Sequence, residues 1–402
     1  MVAERGAVAS GPMSANQLAR ALAVCLALTS AVACGAEEVT CQRADLLVAL
    51  APHQPAAYSI AGELCATRRE LRQGAMVQLL IHGGTYSHDY WDFGTVGGVS
   101  YSYARAMAAH GLPTFAFDEI GTGGSSHPAS ALVTVDVAAY VAHQIVQALR
   151  HGEIGATRFH KVVAVGHALG AVVAWDEAIR YADVDGVIAT GAAHSLSARY
   201  QDAQAQVFSA AVTDPRFATT GLDRGYLTTA PGVRAGWFFG AFIPEEEAHK
   251  DVVAAPELDT AARFLTSTAT RSIRVPVLSI VGGNDATLCG PSSRGRYFDC
   301  SSAAAVAREE APFYSPRARL HACVIPDAGH DLNLTLNHRL QLADALAWSA
   351  AFVEQNAIGK QPRAVARDVA LKPNDGLPPN CSSAVEDNGH SLQYARTGVR
   401  IH

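Results

Sequence analysis

A chain of 402 residues, 49% hydrophobic and 17% charged, has a globular composition and room for one large α/β domain or two smaller ones. With a formal net charge of −6 and no basic run, it offers no electrostatic case for a nucleic-acid partner.

In chain order, residues 1–36 read as a signal peptide or leader. Arg20 precedes a short apolar core, and small residues follow over 31–36. The apolar run is too short for a stable membrane span. Cys34 ends the string AVAC, a weak likeness to a lipoprotein box, with Ala31 where a larger aliphatic residue belongs. A secreted, extracellular protein is the expectation, and lipid anchoring at Cys34 a lesser one. Beyond the leader, Cys41, Cys65, Cys289, Cys300, Cys323 and Cys381 form an even set without CxxC spacing. That fits disulfides in an oxidising compartment better than zinc. One of the connectivities open to this set pairs 41 with 65 and 289 with 300 across short loops, leaving 323 with 381.

Residues 37–194 alternate hydrophobic strands with helical segments and read as the first part of the core. MVQLLIHGG (76–84) is a buried strand running into a glycine turn. SYSYARAMAAHG (100–111) reads as a helix stopped by Gly111. LPTFAFDEIGTGGSS (112–126) is a strand and a glycine-rich loop, and 134–152 has apolar residues at helical spacing with Gly152 at its end. KVVAVGHALGAVVAW (161–175) is a strand, a sharp turn between Gly166 and Gly170, and a helix to about 181. Further strands fall in 184–193, 275–285 and 321–331, and a closing helix covers about 340–355. Near-continuously hydrophobic strands separated by helices imply a parallel sheet covered on both faces.

Two regions break this rhythm. Residues 195–274 carry no βα repeat but many aromatics, including Trp237, Phe238, Phe239 and Phe242. They read as a helical lid, with an ordinary packed subdomain as the other reading. Residues 275–358 resume the core, and 359–402 are polar and proline-rich, a C-terminal strap.

The turn in VGHALG has the layout of a G-x-S-x-G nucleophile elbow with Ala168 at the central position. HGG (82–84) ends an earlier strand, where a second oxyanion donor is needed. Asp285 and His330 each follow a later strand, and the chain order is elbow, Asp, His. DEIGTGGSS (118–126) fits a D-x-x-G-x-G-x-S loop, whereas Ser126 rules out a G-x-G-x-x-G dinucleotide fingerprint. His82, His88, Asp89 and Asp92 lack metal-site spacing, so no metal is expected.

Over about 76–355 these motifs together resemble the α/β-hydrolase superfamily, and within it secreted esterase- or lipase-like members. The resemblance implies an α/β-hydrolase fold: a mostly parallel central sheet flanked by helices, with a helical lid insertion. It makes position 168 the nucleophile's place, His330 the general base and acid, and Asp285 the residue that orients His330. Oxyanion donors fall at Gly84, or its neighbour Thr85, and at Leu169. Thr85, Tyr86, Trp91, His167, Trp237 and Phe238 are the candidate substrate contacts. Tyr86 and Trp91 read equally as caps on the core, and His167 also has a local packing reading. His82 and Asp118 read as structural. No cofactor is implied. The partner is a small hydrophobic ester or lactone, and the oligomeric state is not legible.

Ala168 carries no hydroxyl, so no acyl-enzyme can form there, and losing a nucleophile can cost about 10⁶ in turnover. Three accounts follow. A serine hydrolase has had its nucleophile replaced and traps substrate; a non-hydrolytic enzyme uses His330 and Asp285 for acid–base chemistry such as epimerisation, elimination or ring closure; or the protein only binds a hydrophobic ligand.

Overall fold

The computed structural model describes residues 37–238, 249–354 and 381–383. The leader with Cys34, the aromatics Phe239 and Phe242, and the strap outside 381–383 lie beyond the described residues.

A nine-stranded sheet forms the centre. Its strands are β1 (Thr40–Val48), β2 (Tyr58–Ala66), β3 (Met76–Ile81), β4 (Thr114–Phe117), β5 (Lys161–His167), β6 (Gly186–Thr190), β7 (Val277–Gly282), β8 (His321–Ile325) and β9 (Cys381–Ser383). Their spatial order is β1-β2-β4-β3-β5-β6-β7-β8-β9. From β4 through β8 neighbours run parallel; β1, β2 and β9 are antiparallel additions at the two edges. The alternation of side chains explains the continuous hydrophobicity. Val77, Leu79 and Ile81 enter one core cluster while Met76 and Leu80 enter the other, and Val162 and Ala164 are likewise opposed by Val163 and Val165.

Helix α1 (Val135–His151) starts where the Thr134 hydroxyl accepts the Val137 N–H at 3.4 Å and stops at Gly152 with φ 81°. It buries Ala138, Ala142, Ile145 and Leu149 in the first cluster, beside α2 (Leu169–Arg180), which adds Val172, Val173 and Trp175. The opposite face is closed by the helix His338–Trp348 through Leu340, Ala345, Leu346 and Trp348.

All three expected disulfides form: Cys41–Cys65, Cys289–Cys300 and Cys323–Cys381. The first joins directly paired residues of β1 and β2, the third directly paired residues of β8 and β9.

Two expectations need correction. The 100–111 segment is helical only over Tyr103–Ala109, because Val99–Ser102 pairs with Asp92–Val96 as a hairpin. The insertion is not wholly helical either. Helices Ala198–Val207 and α3 (Ala255–Phe264) accompany a three-stranded antiparallel sheet of Phe208–Ala210, Tyr226–Thr229 and Val253–Ala254. Those strands are too short for periodicity to reveal.

Candidate active site

The elbow between β5 and α2 is tight because both flanking glycines are in backbone contact. A Cβ on Gly166 would lie 2.2 Å from the Gly170 carbonyl oxygen, and one on Gly170 would lie 2.2 Å from that of His82. Ala168 between them takes φ 50°, ψ −112°, a conformation that costs an L-residue of order 1–3 kcal/mol. Its N–H donates to the Thr190 carbonyl at 2.8 Å. Gly170→Ala is expected to destabilise the fold by about 2–4 kcal/mol, since the clash is with backbone and cannot relax by a rotamer change. An unchanged urea midpoint would contradict this.

Two strand-end loops then converge on position 168. Gly282 at the end of β7 touches the loop after β8 so closely that a Cβ there would meet the Gly329 oxygen at 2.1 Å and the Ala328 oxygen at 2.4 Å. Asn284 N–H donates to the Ala328 carbonyl at 2.9 Å, locking the loops together. Asp285 is thereby placed beside His330, whose Nδ1 lies 2.9 Å from Asp285 Oδ2. The other oxygen, Oδ1, accepts the Thr287 N–H at 2.8 Å and the Thr287 hydroxyl at 2.6 Å. Thr287 Oγ1 is also 3.0 Å from His330 Nδ1. Burial disfavours the His330 imidazolium, but the charge and hydrogen bond of Asp285 outweigh it and hold the group above the ordinary histidine value of 6.5.

Beneath the elbow lies a second buried array. His167 is fully buried, with Nε2 3.1 Å from Asp331 Oδ1, Nδ1 3.2 Å from Thr190 Oγ1, and its ring stacked on Tyr90. The Tyr86 hydroxyl donates to the other Asp331 oxygen. Burial lifts the Asp331 carboxyl to about 6, and burial together with His330 keeps His167 well below the ordinary histidine value. His167, His330 and Asp331 bring possible metal-ligand atoms within 4.8 Å of one another, although the His167–Asp331 contact is a hydrogen bond and His330 Nδ1 is engaged by Asp285.

The loop after β3 completes the site. His82 is buried and neutral, driven down to about 4 by desolvation; its Nδ1 donates to Gly83 O and its Nε2 accepts the Glu119 N–H at 3.1 Å. Thr85 adopts φ 65°, and its carbonyl accepts the Asp251 N–H at 2.9 Å. Arg234 donates from Nη1 to Thr85 Oγ1 at 2.9 Å and Thr229 Oγ1 at 3.2 Å, its guanidinium 4.2 Å above the Tyr86 ring. Asp118 accepts the backbone and side-chain N–H groups of His88 at 2.7 Å each and the Gly124 N–H at 2.7 Å, the structural role its loop motif implied.

A cavity of about 370 Å³ joins these parts. Gly84, Tyr86, Ala168, Leu169, Phe238 and His330 line it, with Asp285 buried behind His330. Four of the candidate contacts do not line it. Trp91 is fully buried against Tyr90 and Tyr103, and His167 is fully buried under the elbow. Thr85 is held against Arg234, and Trp237 packs on Tyr200 beneath Arg199. Sequence reasoning missed Thr287, Asp331 and Arg234. Only Thr287 left a trace, a hydroxyl residue two places after an Asp in a turn.

Helix α3 lines the cavity through Ala255, Leu258, Ala261 and Ala262 and carries the buried Glu257. Burial raises the Glu257 carboxyl to about 8; it also raises Glu119, on which Glu257 acts further. Carboxyls protonated in the folded state but ionised in the unfolded chain make stability fall as pH rises from the ordinary value of 4.5 through about 8. The melting temperature is expected to drop across that window and Glu257→Gln to flatten the drop; an equal slope in the variant would refute it.

The family model for the alpha/beta hydrolase family matches residues 78–345. No curated protein matches the sequence. Among solved structures, a soluble variant of monoglyceride lipase from Saccharomyces cerevisiae is similar, with 15% identity, a TM-score of 0.51, and 75% of this chain and 95% of that one covered. A candidate lipase from Acinetobacter baumannii AYE shows 14% identity, a TM-score of 0.50, and coverage of 79% and 93%. At such identities the likeness speaks for the fold. With sheet order, elbow and family match in agreement, the chain belongs to the α/β-hydrolase family.

Proposed function

We propose that this protein is built as a serine hydrolase for a carboxylic ester or lactone of an apolar substrate, with Ala168 in the nucleophile's place, so that substrate binds without forming an acyl-enzyme. The observation that carries this reading is the Asp285–Thr287–His330 array ending on the cavity that Ala168 lines. In a serine form, Oγ at 168 would attack the carbonyl and His330 Nε2 would take its proton. The amides of Leu169 and Gly84 would receive the oxyanion. Support for that pairing is that Gly84 and Leu169 line the cavity together with Ala168.

The 195–274 insertion serves in this reading as the lid and acyl pocket, since Leu196, Tyr200, Phe208, Leu227, Leu258 and Leu265 line the cavity. Export to an oxidising compartment is supported by the three disulfides, and no helix among the described residues is long and apolar enough to cross a membrane.

The test is Ala168→Ser assayed on p-nitrophenyl butyrate and octanoate; no gain over the parent chain sinks the reading. Because His330 must be neutral to act as base, kcat/KM of the serine variant is expected to rise with pH through a value above 6.5. Asp285→Asn should move that limb to lower pH, and a limb that stays put would argue against the pairing. Ala168 itself favours a second reading, a ligand-binding protein. Tight retention of an apolar ligand with no turnover after Ala168→Ser would select it.

A further inference from the structure

We propose that the chain as it stands is a slow hydrolase of activated or strained carboxylic esters, namely aryl esters and lactones, in which His330 takes a proton from water and the water attacks the carbonyl directly. This deepens the ester reading above and rests on it for the substrate class.

The imidazole is held along one edge only. Its Nδ1 is engaged by Asp285 at 2.9 Å and Thr287 at 3.0 Å, whereas Nε2 has no hydrogen-bond partner among the described residues and His330 lines the cavity. The elbow offers a methyl group beside that cavity, and a water needs only about 30 Å³ of the space. Charge developing on the carbonyl oxygen has a receiver, because Leu169 opens α2 and its amide has no partner within the helix. Finally, Asp285 is fully buried beside the ring. Burying such a pair is costly, and apolar residues of similar volume are often neutral or better for stability. A pocket that merely held an apolar ligand would gain nothing from it; a general base needs it.

The step balances without a cofactor. The water oxygen bonds to the carbonyl carbon and its proton goes to Nε2. Collapse of the tetrahedral intermediate breaks the bond to the leaving oxygen, which receives that proton. One ester and one water give one acid and one alcohol. Without a covalent stage, water must do the work of an alkoxide, so good leaving groups and strained rings react while alkyl esters and amides do not.

The full chain is assayed with p-nitrophenyl acetate and dihydrocoumarin beside His330→Gln. The expected result is turnover that His330→Gln lowers about 100-fold or more. It should show no burst, no acyl adduct by intact mass and no loss after organophosphonate treatment, and it should run slower in D₂O. Equal rates in parent and His330→Gln, or an acyl adduct on the parent, overturn the proposal. Should His330→Gln fail to fold by its melt, the parent decides: a flat pH profile with no D₂O effect overturns it. A parent without His330-dependent turnover beside an active Ala168→Ser variant removes this proposal and leaves the ester site. His330-dependent turnover with no gain on Ala168→Ser removes the missing-serine reading and leaves this one.

Discussion

Ala168→Ser is expected to raise p-nitrophenyl ester turnover by about 10³ to 10⁶, the range spanned by losing a nucleophile from an otherwise complete site. The size follows from how little else changes. The backbone at 168 already holds φ 50°, ψ −112°, so the new hydroxyl costs no further strain. The imidazole is already braced, and the cavity already reaches the elbow. The variant should also show what the parent lacks: a pre-steady-state burst and a covalent adduct with an organophosphonate. Steady-state assays with burst amplitude measured against enzyme concentration would check it, and a rate equal to the parent's would mean that the site is not arranged for acyl transfer.

The second large effect is the loss of about 10⁴ in kcat when Asp285→Asn is placed on the Ala168→Ser background. Geometry makes the direction unambiguous. Oδ1 of Asp285 is occupied by two donors from Thr287, at 2.8 and 2.6 Å. An asparagine would therefore put its carbonyl there and its NH₂ at the position of Oδ2, facing His330 Nδ1. That amide can only donate, so Nδ1 becomes the acceptor and Nε2 carries the proton, the wrong tautomer for a base. Thr287→Val removes only the hydroxyl, and the backbone N–H at 287 still holds Oδ1, so it should cost far less with Asp285 in place and should leave the Asn variant unrescued. Rates for the three variants measured on one ester would test this; an Asn variant within tenfold of its parent would refute the tautomer argument.

The frame of the candidate site was legible because each of its parts is forced into the sequence locally. Gly166 and Gly170 are demanded by backbone contact, and the strands that lead into the loops bearing Ala168, Asp285 and His330 are buried on both faces. Cysteine spacing was informative for two bridges, whose partners are 24 and 11 residues apart, and the third was the pair that remained, 58 residues apart. What could not be read was whatever depends on meetings between distant segments. Trp91 and His167 belong by composition to an apolar pocket, yet packing against Tyr90, Tyr103 and Asp331 took them into the interior. Arg234 looks like a surface charge on a short helix and is only 1% exposed, drawn in by Thr85, Thr229 and two aromatic rings. The first sheet strands, β1 and β2, were also missed; β1 mixes exposed Gln42, Arg43 and Asp45 into its run, as an edge strand with one wet face does.

The grip of Arg234 and the Asp251 amide on Thr85 has a bearing on how a guest molecule enters. Hauling the segment that bears Arg234 outward would tear a buried cation from its oxygen acceptors and release a backbone kink that threonine seldom tolerates. If the insertion acts as the proposed lid, the segment bearing Arg234 and the loop bearing Thr85 would have to move together, which leaves side-chain rotation at cavity-lining residues such as Gln204 and Leu265 as the cheaper doorway.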